Sequence, residues 1–355
     1  MRRILSLVVL AGAVAVLGGC GGQSADSTSA PGPEAGGSGN PAAPGSSSGG
    51  GTLQIGLMPK KKGIPYFTAC QKGAEEAAKE LGDVQLTYDG PVEDRSEEQS
   101  AMVDTWALRK FSAVAVACND PEQISTSLAR ARDAGCAVIT YDADANPTAS
   151  KRQFFINQAV VKDIAETLVD EMVKQAGADA KVGVVSSSPT APNQSAWLKE
   201  METYRKAKYP KLEIVVTEYA GEVQTTSFEK ATNILKAYPD IKGIWGMTSV
   251  AFPGAAQAVE KAGKSGKVAV VGLSTPKDMK EFVDRGVVKS VVLWNPVDLG
   301  YLTVHVARAV SKGDLKEGAT AFKAGRLGEV KVNGSEILLG KPMIFDKSNI
   351  GQFDF

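Results

Sequence analysis

Between residues 53 and 294, ten short runs rich in β-branched side chains alternate with stretches of helical periodicity. That alternation constrains the fold more than any other feature of the chain. The runs are LQIGLM (53–58), VQLTYD (84–89), AVAVAC (113–118), AVITYD (137–142) and FFIN (154–157). A second series follows with KVGVVS (181–186), EIVVTEY (213–219), GIWGM (243–247), VAVVGLS (268–274) and VKSVVLW (288–294). Several are apolar on both faces, as strands buried between two helix layers must be. The intervening helices end legibly: GAEEAAKEL stops at Gly82, 121–134 at Gly135 and 276–285 at Gly286, where glycine takes the left-handed conformation that closes a helix. Strand-helix alternation implies parallel sheets covered on both sides. Two series of comparable size predict an α/β protein of two doubly wound, Rossmann-like lobes, with a crevice at the carboxyl ends of the strands.

Ahead of that body, Arg2 and Arg3 precede an apolar run over 4–17 and the tetrapeptide LGGC ending at Cys20. The run falls short of the roughly 20 apolar residues a bilayer span needs, and its order is that of an export signal. It resembles a bacterial lipobox, which implies cleavage before Cys20, lipidation of its sulfur and anchoring to a membrane outside the cytoplasm. From 21 to 51 the chain is almost entirely Gly, Ser, Pro, Ala and Thr, with nothing to build a core. A coil of that kind, about 30 residues long, reaches roughly 30 Å and serves as a tether. The division is therefore 1–19 signal and 20–52 lipidated cysteine plus tether.

Lysine plus arginine and aspartate plus glutamate number 40 each, so there is no basic field for nucleic acid, which is not expected as a partner. The remaining stretch of 300 or so residues is too long for one ordinary core and fits two domains. Beyond Cys20 stand Cys70, Cys118 and Cys136; at most two can pair, and none has a cysteine or histidine at metal spacing, so they read as buried structural thiols. DADAN (142–146) mimics the start of a calcium loop, but Pro147 stands where the loop needs glycine and Gln153 where it needs glutamate. His305, the sole histidine, has no serine or cysteine partner in the pattern around it, and no GxSxG, HExxH or P-loop spacing occurs in the body. No catalytic residue, metal or cofactor is expected.

The crevice rule picks out residues just after the strands: Lys60, Asn119, Asp142, Ser186 to Gln194, Met247 to Ser249, Ser274 with Thr275, and Trp294 with Asn295. Amides, hydroxyls, a lysine, a carboxylate and aromatic rings can hydrogen-bond hydroxyl groups and cover an apolar sugar face, but they supply no nucleophile and base. A carboxylate such as Asp142 is the usual anchor for two vicinal hydroxyls, with capping a turn as its plainer alternative, and Lys60 belongs to a triple-lysine run that would ordinarily be solvated. Tyr66, Phe67 and Trp197 read either as core aromatics or as stacking rings.

Eight segments carry a resemblance: MPKKKGIPYF (58–67), TYDGP (87–91), ITYDADANP (139–147), FINQ (155–158), SSSPTAPNQSAW (186–197), GLSTPKDM (272–279), LWNPVDLGY (293–301) and DKSNIGQF (346–353). Together they resemble the type I periplasmic binding proteins, the sugar-receptor family that includes the ribose receptor, and within it the rhamnose and autoinducer-2 receptors. The resemblance implies a monomeric receptor that binds a small sugar between two lobes and delivers it to the transmembrane permease of an ABC importer. It also implies a three-segment hinge, placed near 155–158, near 295–296 and near Phe322. The first lobe would be 53–156 plus 297–322, and the second 157–296 plus 323–355. The site of the autoinducer-2 receptors falls on Lys60, Asp142, Asn193, Gln194, Met247 and Ser249. Three match, whereas Asn193, Met247 and Ser249 stand where those receptors have aspartate, proline and alanine. WNPVDLGY is more like the rhamnose receptors, which favours L-rhamnose or a similar deoxyhexose or pentose. The expected ligand-binding set is Lys60, Tyr66, Phe67, Asn119, Asp142, Asn193, Gln194, Trp197, Met247, Ser249, Ser274, Trp294 and Asn295. Two other classes fit the same residues: a sensory receptor feeding a kinase or chemoreceptor, and a sugar-active enzyme pairing Asp142 with Glu93 or Asp94.

Overall fold

The structure, a computed structural model, describes residues 51–355; the expected export signal, Cys20 and nearly all of the tether lie outside them. The first series of strands forms one parallel sheet from β1 (Leu53–Met58), β2 (Val84–Tyr88), β3 (Ala113–Val116), β4 (Ala137–Tyr141) and β5 (Phe154–Ala159) in the order β2-β1-β3-β4-β5. Period-2 alternation assigns its two faces. Ile55, Leu57, Ala113 and Ala115 share a cluster with α1 (Pro65–Leu81), while Met58, Val114 and Val116 share one with α2 (Ser96–Leu108) and α3 (Pro121–Asp133). All of β3 and β4 is buried, as the two-sided apolar runs required.

The second series builds a second parallel sheet. β6 (Lys181–Ser186), β7 (Glu213–Tyr219), β8 (Gly243–Gly246) and β9 (Ala269–Gly272) run in the order β7-β6-β8-β9, and β10 (Ser290–Leu293) joins through a bridge between Leu273 and Val292. Helices α4 (Val161–Ala176) and α5 (Pro192–Lys208) pack together, as do α6 (Gln224–Ala237) and α7 (Ala251–Lys261). Alternate residues of β8 separate these layers: the Trp245 indole donates to the Leu168 carbonyl of α4 at 3.1 Å, while Gly246 abuts Phe252 of α7. Helix α8 (Pro276–Asp284) completes the second lobe, and α9 (Pro296–Lys312) returns to the first, packing along α1 and beneath β1, β3, β4 and β5. The fold is that of two doubly wound lobes.

The chain crosses between lobes three times. The first crossing follows β5, between Ala159 and α4, and the second follows β10, at Trp294 and Asn295. The third differs. Instead of leaving near Phe322, the chain adds an antiparallel trio to the first sheet: β11 (Ala321–Lys323), β12 (Glu329–Asn333) and β13 (Glu336–Gly340), with β13 parallel to β5. Only beyond Gly340 does β14 (Met343–Asp346) pair antiparallel with β10 on the second lobe. Residues 323–340 therefore pair with the first sheet. These short strands, with several exposed positions, lack the strong apolar runs that mark buried parallel strands.

Candidate functional site

Both lobes present the carboxyl ends of their strands to one cleft. From the first lobe, β1 runs into Lys60, and α1 starts at Pro65, its first residue held by the ring's fixed φ. That early start puts Tyr66 and Phe67 in the first turn, facing the cleft, where the sequence had read only the later part of the helix. Asp142 follows β4 with φ of 60°, a conformation that L-residues adopt at a cost and that is common where structure holds a functional group in place. From the second lobe, α5 begins at Pro192 and carries Asn193, Gln194 and Trp197 in its first two turns.

A chain of hydrogen bonds spans the cleft. The Lys60 ammonium donates to Asn193 Oδ1 at 2.8 Å, and Asn193 Nδ2 donates to Asp142 Oδ2 at 3.3 Å. The Tyr66 hydroxyl donates to Asp142 Oδ1 at 2.8 Å and accepts from the Trp294 indole N–H at 2.8 Å. Lys60 and Asp142 are 2 % and 4 % exposed, so neither is a solvated loop residue. Burial raises the Asp142 carboxyl above its ordinary value, opposed by the Lys60 charge and the Tyr66 hydrogen bond. Burial also pushes the Tyr66 hydroxyl well up, with Asp142 adding to it. The triple-lysine run thus divides: Lys60 turns inward, while Lys61 and Lys62 form partly exposed ion pairs with Glu93 and Asp89.

The cavity between the lobes is lined by Lys60, Tyr66, Phe67, Asp142, Asn193, Gln194, Trp197, Met247, Ser249 and Trp294. Thr248, within the 247–249 run that the crevice rule picked out, and Glu222, Leu273 and Leu293, which the sequence reading missed, complete it. Trp294 packs edge-on to Tyr66 with centroids 6.2 Å apart and lies 5.9 Å from Trp197. Polar groups gather at the Lys60 and Asp142 end. Phe67, Met247, Leu273 and Leu293 supply apolar wall.

Three expected residues do not line this cavity, each for a visible reason. Asn119 donates from its side chain to the Lys60 carbonyl at 2.9 Å, and Gln99 Oε1 accepts its backbone N–H at 3.0 Å, so it shapes the lysine loop. Ser274 donates to the Ser249 carbonyl at 2.8 Å and props up that loop. Asn295 caps α9, accepting from the backbone N–H groups of Val297 and Asp298 at 3.0 and 3.3 Å, which is what asparagine does at a helix start. Glu222 follows β7 by three residues, and the crevice rule applied to that strand as well would have found it.

Other expectations concern absent chemistry. Asp144, in the DADAN loop, is bound bidentately by Arg152 at 2.8 and 2.7 Å. Cys70, Cys118 and Cys136 are buried and unbonded to one another, with thiols raised by burial. Among the described residues, no three potential ligands gather around a metal-sized space, and no helix is long and apolar enough to cross a membrane.

Comparison with known proteins places this geometry. The family described as "Periplasmic binding protein domain" matches residues 55–315. A sugar ABC transporter protein from Actinomyces odontolyticus is 33 % identical, with a TM-score of 0.68, over 85 % of this chain and 98 % of its own. An ABC transporter solute-binding protein from Clostridium phytofermentas, solved with bound L-rhamnose, is 28 % identical, with a TM-score of 0.80 and coverage of 85 % and 98 %. The D-allose-binding periplasmic protein of Escherichia coli is 26 % identical over 245 residues, 66 % of this chain and 77 % of the relative.

Proposed function

Because this chain belongs to the periplasmic binding protein domain family, we propose that it is the extracytoplasmic sugar-binding component of an ABC importer, closing around one small sugar and presenting it to the permease. It is not an enzyme; its relatives are binding components of transporters. The observation that carries the reading is the hydrogen-bonded chain from Lys60 through Asn193 and Asp142 to Tyr66 and Trp294, which joins the lobes around a walled cavity. Hydroxyl groups need paired donors and acceptors in a desolvated site, and this chain supplies both. Lobes bonded across the cleft fit the closed form of a hinged receptor, the form a permease would select.

For the cargo we favour L-rhamnose or a related deoxyhexose. Phe67, Met247, Leu273 and Leu293 offer apolar surface that suits a methyl group and leaves a hydroxymethyl unsatisfied. Autoinducer-2 is less favoured, since Asn193, Met247 and Ser249 stand where its receptors have aspartate, proline and alanine. A thermal-shift panel of the full chain with L-rhamnose, D-ribose, D-allose, D-arabinose, D-fucose and autoinducer-2 tests the reading. A ligand at 100 times its dissociation constant adds about 2.7 kcal/mol. L-rhamnose alone raising the midpoint supports the assignment, a different single sugar replaces it, and no shift with any of them sinks the simple-sugar reading.

We also propose that Cys20 carries a lipid anchor and that the chain acts as a monomer. Cys20→Ser should move the protein from the membrane fraction to the soluble extracytoplasmic fraction; an unchanged distribution argues against the anchor.

A further inference from the structure

Glu222 sits where β7 turns into α6, in the wall between two cavities. One is the cleft already described. The other is a polar pocket beside it that includes Asp94, Ser96, Asn119 and Ser187 and shares Lys60 with the cleft. The residue is 7 % exposed, and among the described residues its hydrogen bond runs through the backbone N–H, none through the carboxyl. An acidic side chain in that position costs free energy unless something satisfies it. Since its remaining exposure opens onto the cavities, the occupant of the cleft is the available partner.

The backbone fixes this placement. Asp94, on the first lobe, accepts the Glu222 backbone N–H at 3.3 Å across the cleft. Gly221 precedes it with φ of 62°, and a Cβ there would stand 3.1 Å from Asp94 Oδ2. Glycine suits the turn, and a side chain there would crowd Asp94. Docking through the backbone leaves the Glu222 side chain free to point at the cargo, opposite Asp142 on the other lobe.

We propose that Glu222 is a ligand-contacting, specificity-determining residue: its carboxyl hydrogen-bonds a hydroxyl of the bound sugar and, with Asp142, restricts the cleft to neutral sugars over sugar acids. The assignment rests on the receptor reading above. Two carboxyls, Asp142 and Glu222, face one inward ammonium, that of Lys60, so an added negative charge would have no partner.

The site should also titrate. Burial raises the Glu222 carboxyl from an ordinary 4.5 to about 7, with Lys60 and Lys61 opposing and Asp94 and Asp142 adding to the rise. A carboxyl whose value is raised by closure favours the closed form fully below its ordinary value. That advantage is lost as pH climbs from 4.5 toward 7. Wild-type affinity should therefore be higher at acid pH and level off above neutrality.

Isothermal titration of the full chain with the sugar panel and D-galacturonate, at several pH values from 5 to 8, tests this. The proteins are the wild type, Glu222→Gln and Glu222→Ala. The expected result is a wild type that binds a neutral sugar but not D-galacturonate, with affinity falling tenfold or more, as an order of magnitude, across that range. Glu222→Gln, which keeps the shape but cannot ionise, should show a flat pH profile, and Glu222→Ala should lose roughly tenfold or more in affinity. The unliganded melting temperatures of both variants separate a folding defect from a binding one. If the wild type binds a neutral sugar while both variants match its affinity and pH profile, the assignment to Glu222 is overturned and the receptor reading stands. Tight binding of D-galacturonate by the wild type overturns the neutral-sugar restriction. A wild type that binds no sugar overturns both.

Discussion

Asp142 and Asn193, on opposite lobes and 51 positions apart, share a hydrogen bond of 3.3 Å, and each holds a second bond to a side chain of the first lobe. Asn193 also accepts from Lys60, and Asp142 from Tyr66. One amide therefore reads both Lys60 and Asp142, a role aspartate could not fill because it has no N–H to offer Asp142.

Asp142→Asn tests the charge while sparing the turn, since asparagine tolerates a φ of 60° nearly as well. A hydrogen bond to a charged group is worth about 1.5–3 kcal/mol, so affinity for the cargo should drop by roughly ten- to a hundred-fold in calorimetric titration. Unchanged affinity would mark Asp142 as a turn residue only.

Tyr66→Phe removes the hydroxyl that Trp294 donates to and Asp142 accepts from. Both partners are buried, and stranding a buried polar group costs about 1–3 kcal/mol. Urea denaturation of the unliganded variant should register a loss of that size; equal midpoints would show that water replaces the hydroxyl.

Gly73 on α1 and Gly300 on α9 let these helices touch backbone to backbone. A Cβ at Gly73 would lie 1.7 Å from the Val297 carbonyl oxygen, and one at Gly300 would lie 1.8 Å from that of Cys70. Either Gly→Ala change must push the helices apart, and overpacking of this kind costs about 1–3 kcal/mol or more. Denaturation midpoints should fall for both variants, more than for Gly340→Ala, where an added Cβ meets nothing within 4 Å.

Asp83 receives Arg308 bidentately at 2.7 and 2.9 Å and also binds Lys312. The Arg308 hydrogen bonds, followed by those of Lys312, hold its carboxyl well below its ordinary value of 3.8. A depressed folded value contributes stability above the ordinary value, and that stability is lost as pH falls through the acid range below it. Asp83→Asn should therefore be less stable than the wild type at pH 7, and the difference should narrow as pH drops from about 4 to 2 in a series of thermal melts. A constant difference would mean the ion pair plays no part in acid unfolding.

By itself, the sequence determined the local and periodic features. Two-sided apolar runs with β-branched residues can be satisfied only between helix layers, so the parallel cores of both lobes, from β1 to β10, were legible, as were helix ends at Gly82, Gly135 and Gly286. The carboxyl-end rule and the resemblance together named Lys60, Asp142, Asn193, Gln194 and Trp294 before any coordinates. Tertiary structure decided what depends on the far side of an interaction. Residues 321–340 carry no two-sided apolar run, β12 burying only Val330 and Val332 between exposed residues, and only pairing of β13 with β5 binds them to the first sheet. Asn119, Ser274 and Asn295 have the right chemistry for a ligand, but neighbouring carbonyls and N–H groups already use it. Glu222 lies just past β7, where the carboxyl-end rule points, but that Asp94 of the other lobe holds its backbone only the tertiary structure decides. Local pattern reports what a residue can bond; which partner reaches it first is settled by packing between segments far apart in the chain.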